Sequence, residues 1–196
     1  TTGLRVEQTA IDTDPVYLEK RVGAWPAGDE MRFYIAVDPL GITLADTKKH
    51  RIVSVSDWVT GSELWYLDMI WDTAGDGWKF EFGYNHDSGS GTIQSNAIAD
   101  TEAPFELECW LGQGAGAAVG FRVWSHFLSE TTATITHGVT GVGDVFRIGI
   151  NGTAENTVPN VFYLDHAVLG TSASSPIGPL IGSGDVKDLG TLLLPT

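Results

Sequence analysis

Two glutamates, Glu106 and Glu108, stand two residues apart in the alternating segment Phe105–Leu111. In an extended strand, residues two apart point to the same face, so we expect both carboxylates on one side of a sheet. Paired carboxylates hydrolyse glycosidic bonds, one as the acid and the other as nucleophile or base. Two glutamates on the solvated face of a strand are also an ordinary surface feature, and we expect that simpler role here.

Aromatic and charged side chains occupy the outward positions of the middle strands. They are Tyr66, Asp68, Glu81, Glu108, Trp110, Arg122 and Trp124, with Lys79, Gln94 and Glu106 beside them. If these strands are neighbours in one sheet, their rings stack on sugar surfaces while the polar groups bond hydroxyls. Alternatively, Trp110 and Trp124 are covered by the chain itself or by another subunit, because a large tryptophan is seldom left bare. The sequence predicts a ligand- or partner-binding face and leaves its occupant open.

No other pattern in the chain indicates catalysis. The five histidines share no metal-ligand spacing, and there is no serine nucleophile elbow and no phosphate-binding glycine loop. The single cysteine, Cys109, excludes an internal disulfide and a multi-cysteine zinc site. It shares a strand face with Leu107 and Leu111, which predicts a buried and unreactive thiol. We therefore expect that the chain is not an enzyme.

The elements that position these groups are predicted to be β-strands. Apolar residues alternate with polar ones in several segments that are separated by glycine-rich turns. The apolar rows run through Phe33–Val37, Trp65–Trp71, Trp78–Tyr84, Val119–Val123 and Phe146–Ile150. Strict alternation predicts strands with one buried face, and the rows together predict an all-β fold, a two-sheet antiparallel jelly-roll sandwich.

Composition and charge limit the classes of function. The 196-residue chain has a net charge of −14, which makes nucleic acid and membranes poor partners and leaves carboxylates available for calcium. No segment is apolar enough for a transmembrane helix, and no signal peptide is visible. After residue 170 the composition changes to serine, glycine and proline. We predict a sandwich domain over residues 1–170 and a C-terminal extension with a short strand over residues 171–196.

Two late segments, Val145–Asn151 and Val161–Val168, combine a strand that ends in a small-residue turn with an aromatic-rich strand containing an acidic residue. This arrangement resembles the closing strands of laminin-G-like and concanavalin A-like domains. The Gly-Pro segment that follows, within Ser174–Gly182, is similar to one in the jelly-roll domains of structural proteins of tailed bacteriophages. The chain departs from the commoner phage version at His166, where a second aspartate usually stands.

The resemblance implies a concanavalin A-like lectin/glucanase architecture in a non-enzymatic structural or decorating component of a phage particle, in its capsid or tail. The implied partners are other virion subunits in an oligomer. No cofactor is required, although Asp165 resembles an acidic residue that helps to hold calcium in some sandwiches of this class. The alternative is a carbohydrate-binding module that attaches to a cell-surface glycan.

A glycoside hydrolase or lyase is the third possibility. Glucanases of this architecture place two glutamates and an aspartate at alternate positions of one strand. Glu106 and Glu108 supply only part of that set, because no aspartate stands at an alternating position beside them.

Overall fold

A computed structural model describes residues 4–8, 16–22, 30–39, 42, 44–86, 89–112, 114–125, 129–131, 135–139, 143–151 and 160–170. The strands are β1 (Leu4–Gln8), β2 (Val16–Arg21), β3 (Glu30–Asp38), β4 (Lys49–Ser56), β5 (Glu63–Asp72), β6 (Gly77–His86), β7 (Gly89–Gln94), β8 (Ile98–Ala99), β9 (Phe105–Gly112), β10 (Gly114–Trp124), β11 (Ser129–Thr131), β12 (Ile135–Val139), β13 (Val145–Ile150) and β14 (Asn160–Gly170). A short 3₁₀ helix spans Asp100–Glu102. The extension predicted over residues 171–196 lies outside the described residues, so the boundary at residue 170 stays a prediction.

The strands form two antiparallel sheets of seven strands each. Sheet A has the order β1-β14-β3-β9-β10-β11, with β12 also on β10. Sheet B has the order β2-β13-β4-β5-β6-β7, with β8 also on β6. The first three strands alternate between the sheets, and the last two lie in opposite sheets, as in a jelly roll. The all-β, two-sheet jelly-roll prediction is confirmed.

The core lies between the two sheets and is built from the predicted apolar rows. Trp65 is at its centre, with ring centroids 5.7 Å from Phe33 of sheet A and 5.6 and 6.0 Å from Phe82 and Phe146 of sheet B. The row Trp78, Phe80, Phe82 and Tyr84 is buried along its whole length, as predicted. Trp71, at the end of its own row, is only partly buried.

Cys109 is buried in this core, as predicted. Burial raises the pKa of its thiol well above the ordinary value, which disfavours the reactive thiolate. Over the described ranges, no helix has the length and apolar character that crossing a membrane would need.

Candidate functional site

The predicted binding residues divide between two opposite surfaces of the sandwich. Glu108, Trp110, Arg122 and Trp124 lie on β9 and β10 of sheet A. Tyr66, Asp68 and Glu81 lie on β5 and β6 of sheet B. The premise that all these strands are neighbours in one sheet is therefore wrong. We call the two surfaces the sheet-A face and the sheet-B face.

The sheet-A face is ordered in three rows that cross β3, β9 and β10. The strand register aligns these outward residues as Arg32–Trp110–Gly120, Tyr34–Glu108–Arg122 and Ala36–Glu106–Trp124. Adjacent strands lie about 4.8 Å apart, so neighbouring members of a row are within side-chain reach of one another. Four ionisable groups, a phenol and two indoles are thus concentrated on three strands.

The two glutamates of this face are buried and hydrogen-bonded. Glu106 and Glu108 are 5% and 0% exposed, so the expectation of a solvated pair is wrong. The hydroxyl of Tyr34 donates a hydrogen bond to Glu106. Arg32 Nη1 donates to Glu108 at 2.8 Å, and Arg32 also pairs with Glu30 at 2.6 Å. Both carboxylates therefore already have fixed partners on β3.

Arg122 is held between two indole rings. Its guanidinium lies 5.6 Å from the ring centre of Trp110 and 5.4 Å from that of Trp124. Such cation–π contacts stabilise a guanidinium without neutralising its charge. Nε of Arg122 is buried without a hydrogen-bond partner, and across the described ranges no carboxylate forms an ion pair with this side chain. Arg122 is therefore a cation whose position is fixed and whose charge is left unpaired by the described residues.

Trp110 lies flat across the backbone of β10. A Cβ atom placed on Gly120 would be 2.0 Å from Cζ2 of Trp110, so only glycine leaves room for the indole there. Trp110 and Trp124 are 7% and 8% exposed. They are buried within the chain itself, which is the first of the two coverings that the sequence left open. Both rings contact Arg122, and the ring of Trp110 also lies 5.2 Å from the guanidinium of Arg32.

A bulge in β14 borders the sheet-A face beside Ala36. The register of β14 against β3 shifts between Asp165 and Val168, and His166 has a positive φ of 53°. Bulges and positive φ at a residue other than glycine are concentrated near functional sites. Asp165 Oδ1 accepts a hydrogen bond from the backbone N–H of His166 at 2.8 Å, and Asp165 Oδ2 lies 3.5 Å from His166 Nδ1. Nδ1 is buried without a hydrogen bond.

Asp165, the residue that the sequence suggested for calcium, lies at the start of this bulge. The described residues contain no cluster of three or more acidic, histidine or cysteine side chains that could hold a metal ion. Calcium prefers six to eight oxygen ligands, so backbone carbonyls would have to complete the set, and the calcium role of Asp165 stays a prediction. In the structure Asp165 accepts a hydrogen bond from the backbone N–H of His166.

The sheet-B face carries a network of paired charges. Arg51 Nε donates to Asp68 Oδ1 at 2.9 Å, and Arg51 Nη1 donates to Glu63 at 2.7 Å. Lys49 pairs with Asp68 at 2.8 Å and with Glu81 at 3.3 Å. Asp68 is fully buried beneath its two cations. This predicted binding residue therefore has a structural role.

The third predicted residue of that face, Tyr66, is packed in the same way as Trp110. Its ring fills the space above Gly83, where a Cβ atom would be 2.1 Å from Cζ of Tyr66. The guanidinium of Arg51 covers the ring at 3.5 Å from its centre. Burial raises the pKa of Tyr66, so its hydroxyl stays protonated near neutral pH.

A shallow depression of about 310 Å³ opens beside this network, with Trp71, Lys49 and Glu81 in its wall. Its charged groups are partnered, since Gln94 Nε2 donates to Glu81 at 3.1 Å and Lys79 pairs with Asp72. The depression thus offers no unpaired charge comparable to Arg122.

Sequence reasoning missed Arg32, Tyr34 and Arg51, and placed no function on His166. The first two are the outward residues of the alternating segment Met31–Val37, so their orientation was visible in the sequence. Their position beside Glu106 and Glu108 was not, because β3 and β9 are far apart in the chain.

No known protein family's profile matches the chain, and no curated protein matches it in sequence. Solved structures do share its fold. An endo-β-1,4-glucuronan lyase from the fungus Trichoderma reesei aligns with a TM-score of 0.60 at 12% identity, over 87% of this chain and 81% of the lyase. An alginate lyase from Klebsiella pneumoniae aligns with a TM-score of 0.52 at 10% identity, over 75% of this chain and 61% of the lyase.

A third similar structure is the enzymatically active domain of tailspike protein 2 from bacteriophage CBA120. Its TM-score is 0.50 at 8% identity, over 87% of this chain and 29% of the tailspike chain. This chain thus spans less than a third of the tailspike structure and about three fifths of the alginate lyase. At such identities the likeness establishes the fold.

The comparisons correct the expectation that the chain is not an enzyme, because similar solved structures that align over most of its length are polysaccharide lyases. The incomplete carboxylate set argued only against one kind of glycoside hydrolysis. Lyases break sugar chains by elimination, and that chemistry does not need the missing aspartate.

Proposed function

We propose that the chain binds an acidic polysaccharide on its sheet-A face and cleaves it by β-elimination. The observation that carries the proposal is the guanidinium of Arg122, which is fixed between Trp110 and Trp124 without a carboxylate partner among the described residues. An unpaired cation in a partly buried position gains most from an anionic ligand. The carboxylate of a uronate sugar is such a ligand, since it accepts two parallel hydrogen bonds from a guanidinium.

The two indoles make Arg122 an efficient anchor. A free arginine side chain loses conformational entropy when it binds, and that cost is reduced where packing has already fixed its direction. Gly120 contributes to the same end, because the absence of a side chain there lets Trp110 lie beside Arg122. The chain's strong negative charge repels acidic polymers in general. Binding must therefore occur at a local cation such as Arg122.

The elimination step requires a base, and His166 is suited to that role. In β-elimination the base removes the proton from C5 of the uronate, the C4–O4 bond breaks, a C4=C5 double bond forms, and the leaving oxygen takes up a proton. Nδ1 of His166 faces the carboxylate of Asp165 at 3.5 Å, so a proton held on Nδ1 would leave Nε2 as the basic nitrogen. The side chain of His166 is 15% exposed, whereas Tyr34 and Glu108 on the same face are fully buried.

Arg122 and His166 are separated by three strand spacings, about 14 Å, which is the length of roughly three sugar residues. They therefore hold different residues of one polymer that lies across the strands. The glucuronan lyase and the alginate lyase, which share the fold, are named for acidic polysaccharides, and this supports the choice of polymer.

Binding is tested by comparing Arg122→Met with Arg147→Met on alginate and glucuronan by isothermal titration calorimetry. Arg147 is the matched control, because it also stacks on an aromatic ring, Tyr17, but has a carboxylate partner, Glu19, at 2.8 Å. We expect Arg122→Met to weaken binding at least about tenfold and Arg147→Met to leave it unchanged. Equal affinity of the wild type for a neutral glucan would contradict the proposal.

Cleavage is followed by the ultraviolet absorbance of the unsaturated product. Asparagine tolerates positive φ, so His166→Asn keeps the bulge while removing the base. We expect this variant to bind the polymer as the wild type does and to lose at least about a hundredfold in kcat. Binding without any absorbance change in the wild type would leave Arg122 as a binding group and refute cleavage.

We also propose that the domain belongs to a phage particle, where it recognises or degrades a surface polysaccharide of the host. Two observations support this: the resemblance of residues 145–182 to phage jelly-roll domains, and the shared fold with a phage tailspike domain. Mass spectrometry of purified particles provides the test. Absence of the chain from particles whose other structural proteins are all detected would refute a virion location.

A further inference from the structure

The most exposed large apolar side chains of the described residues lie at one edge of the sandwich. They are Leu4 on β1, Tyr17 and Leu18 on β2, and Trp58 and Val59 in the loop after β4. Trp58 is 54% exposed and Val59 87% exposed. The edge strand β1 of sheet A contacts the edge strand β2 of sheet B, and Arg21 at the end of β2 lies over the ring of Trp58. These residues therefore mark a single rim, which we call the β1–β2 edge.

Among the described strands, β1 and β2 each have a partner on one side only. In the described part of the chain, β1 pairs with β14 alone and β2 pairs with β13 alone. An edge strand with exposed apolar neighbours is a template for pairing with another strand, and proteins usually block such edges unless they use them. Leu4 and Leu18 belong to the inner faces of their sheets, so the core is open to solvent here.

The loop that carries Trp58 and Val59 is rigidly held. Asp57 Oδ1 accepts hydrogen bonds from the backbone N–H groups of Val59 and Thr60, both at 2.8 Å. The backbone N–H of Trp58 donates to Asp144 Oδ1 at 2.7 Å, and the guanidinium of Arg21 lies 4.6 Å from the Trp58 ring centre. The backbone that presents the two apolar side chains is thus fixed by hydrogen bonds, as in the anchor of an interface.

We propose that the β1–β2 edge binds a second copy of this chain, with β1 antiparallel to β1 of the other copy about a two-fold axis at Val6. That register places Arg5 of each copy opposite Glu7 of the other. Both residues are exposed on the same side of β1 and already pair within one chain. A chain of net charge −14 repels its own copies, so it associates best where opposite charges meet.

Charge distinguishes this arrangement from the other possible edge. Antiparallel pairing of β2 with itself about its centre places Glu19 opposite Leu18 and Lys20 opposite Tyr17, which gives no ion pair. An axis at Lys20 would place Glu19 opposite Arg21, but Glu19 already pairs with Arg147 and Arg21 with Asp144, both outside β2. Pairing through β1 gives two ion pairs, and the contact of β1 with β2 brings the apolar residues of the rim close to the new interface. The apolar residues supply affinity, while exposed ion pairs contribute little energy and mainly fix the register.

A charge-swap experiment on the full chain, measured by sedimentation velocity at tens of micromolar protein, tests the register. We expect the wild type to be dimeric, and Arg5→Glu and Glu7→Arg each to be monomeric, because each places like charges opposite one another. An equimolar mixture of the two variants should form a heterodimer, since every facing pair is then opposite in charge. A monomeric wild type, dimeric single variants or a mixture that stays monomeric would each overturn the proposal.

Trp58→Ser/Val59→Ser tests the apolar contribution. We expect it to weaken dimerisation at least about tenfold while the thermal unfolding midpoint at low concentration stays that of the wild type. Unchanged dimerisation in this variant would remove the loop from the interface. Activity on polysaccharide is not needed for either readout, so this inference fails or stands independently of the proposed function.

Discussion

The sheet-A face and the sheet-B face are built with the same parts and differ in how their charges are paired. On the sheet-B face, Asp68 has two cations, Glu81 pairs with Lys49, and Glu63 pairs with Arg51. On the sheet-A face, Glu108 has Arg32, whereas Arg122 has two indoles and no described carboxylate. Paired charges stabilise a fold or leave it unaffected, whereas a fixed and unpaired one favours a ligand of opposite charge.

The comparison also shows that an aromatic ring over a glycine is not by itself a binding feature. Tyr66 over Gly83 and Trp110 over Gly120 are the same packing device in the two sheets. Arg51 lies on the first ring and Arg122 beside the second. Of these two arginines, only Arg122 lacks a carboxylate partner among the described residues. We therefore assign the polysaccharide to the sheet-A face, where Arg122 lies.

The core that both faces share sets the scale of stability. We expect Phe80→Ala to lower the free energy of unfolding by about 3–5 kcal/mol, because it removes a fully buried ring that packs on Phe105 and leaves a cavity. Urea denaturation provides the measurement. An unchanged midpoint would mean that the Trp78–Tyr84 row does not face the core.

Removing a carboxylate from the sheet-B face, where the charges are paired, should lower the free energy of unfolding. Asp68→Ala leaves Arg51 and Lys49 without their shared anion, and we expect a loss of about 2–3 kcal/mol by urea denaturation. This is below the full cost of a broken buried pair, because the two cations are 26% and 38% exposed.

Arg122→Met is the counterpart on the sheet-A face. We expect it to lower the free energy of unfolding by about 1 kcal/mol, because two cation–π contacts are lost but no ion pair with a described residue. If Arg122→Met were as destabilising as Asp68→Ala, Arg122 would be a structural residue and the contrast between the faces would disappear.

The sequence was sufficient to predict the sandwich because, in a strand with one buried face, every second side chain is apolar. The rows containing Phe33, Phe80 and Phe121 follow that period, and all three are buried. The order of strands leaves no such trace. Nothing near Trp110 in the chain indicates that Tyr66 lies in the opposite sheet, so the predicted binding residues merged two surfaces into one.

Burial on the outer faces was also beyond prediction from periodicity. Glu106 and Trp124 occupy polar-side positions and are nevertheless buried. Conversely, the exposed Trp58 and Val59 lie in a loop with no alternation. Period two identifies which residues share a side of a strand and gives no information about what covers that side.

Replacing the glycine beneath each aromatic ring, Gly120 under Trp110 and Gly83 under Tyr66, distinguishes an effect on packing from an effect on binding. Gly120→Ala and Gly83→Ala each force an aromatic ring to move, and we expect each to cost about 1–2 kcal/mol of stability by thermal denaturation. Only Gly120→Ala should also weaken binding of alginate or glucuronan, because moving Trp110 disturbs Arg122. A similar loss of binding in Gly83→Ala would show that the site is not confined to the sheet-A face.

The smallest effect we predict is the pH dependence of stability that comes from Glu63 on the sheet-B face. Burial raises the pKa of Glu63 above its ordinary value, although Arg51 opposes the shift. The folded state therefore binds a proton at Glu63 more tightly than the unfolded state does. The contribution of this group to stability is present below the unfolded pKa and is lost as pH rises through the folded pKa.

Glu63→Gln removes that titration while keeping the shape of the side chain. We expect the wild type to gain stability relative to Glu63→Gln as pH falls from neutral through the window just above the ordinary glutamate pKa, measured by urea denaturation at each pH. The difference in unfolding free energy between wild type and Glu63→Gln isolates the contribution of Glu63. Asp72, whose pKa is lowered by the hydrogen bond from Lys79, contributes equally to both proteins, and its contribution to stability is lost as pH falls. A pH-independent difference would mean that Arg51 offsets the effect of burial on the pKa of Glu63 completely.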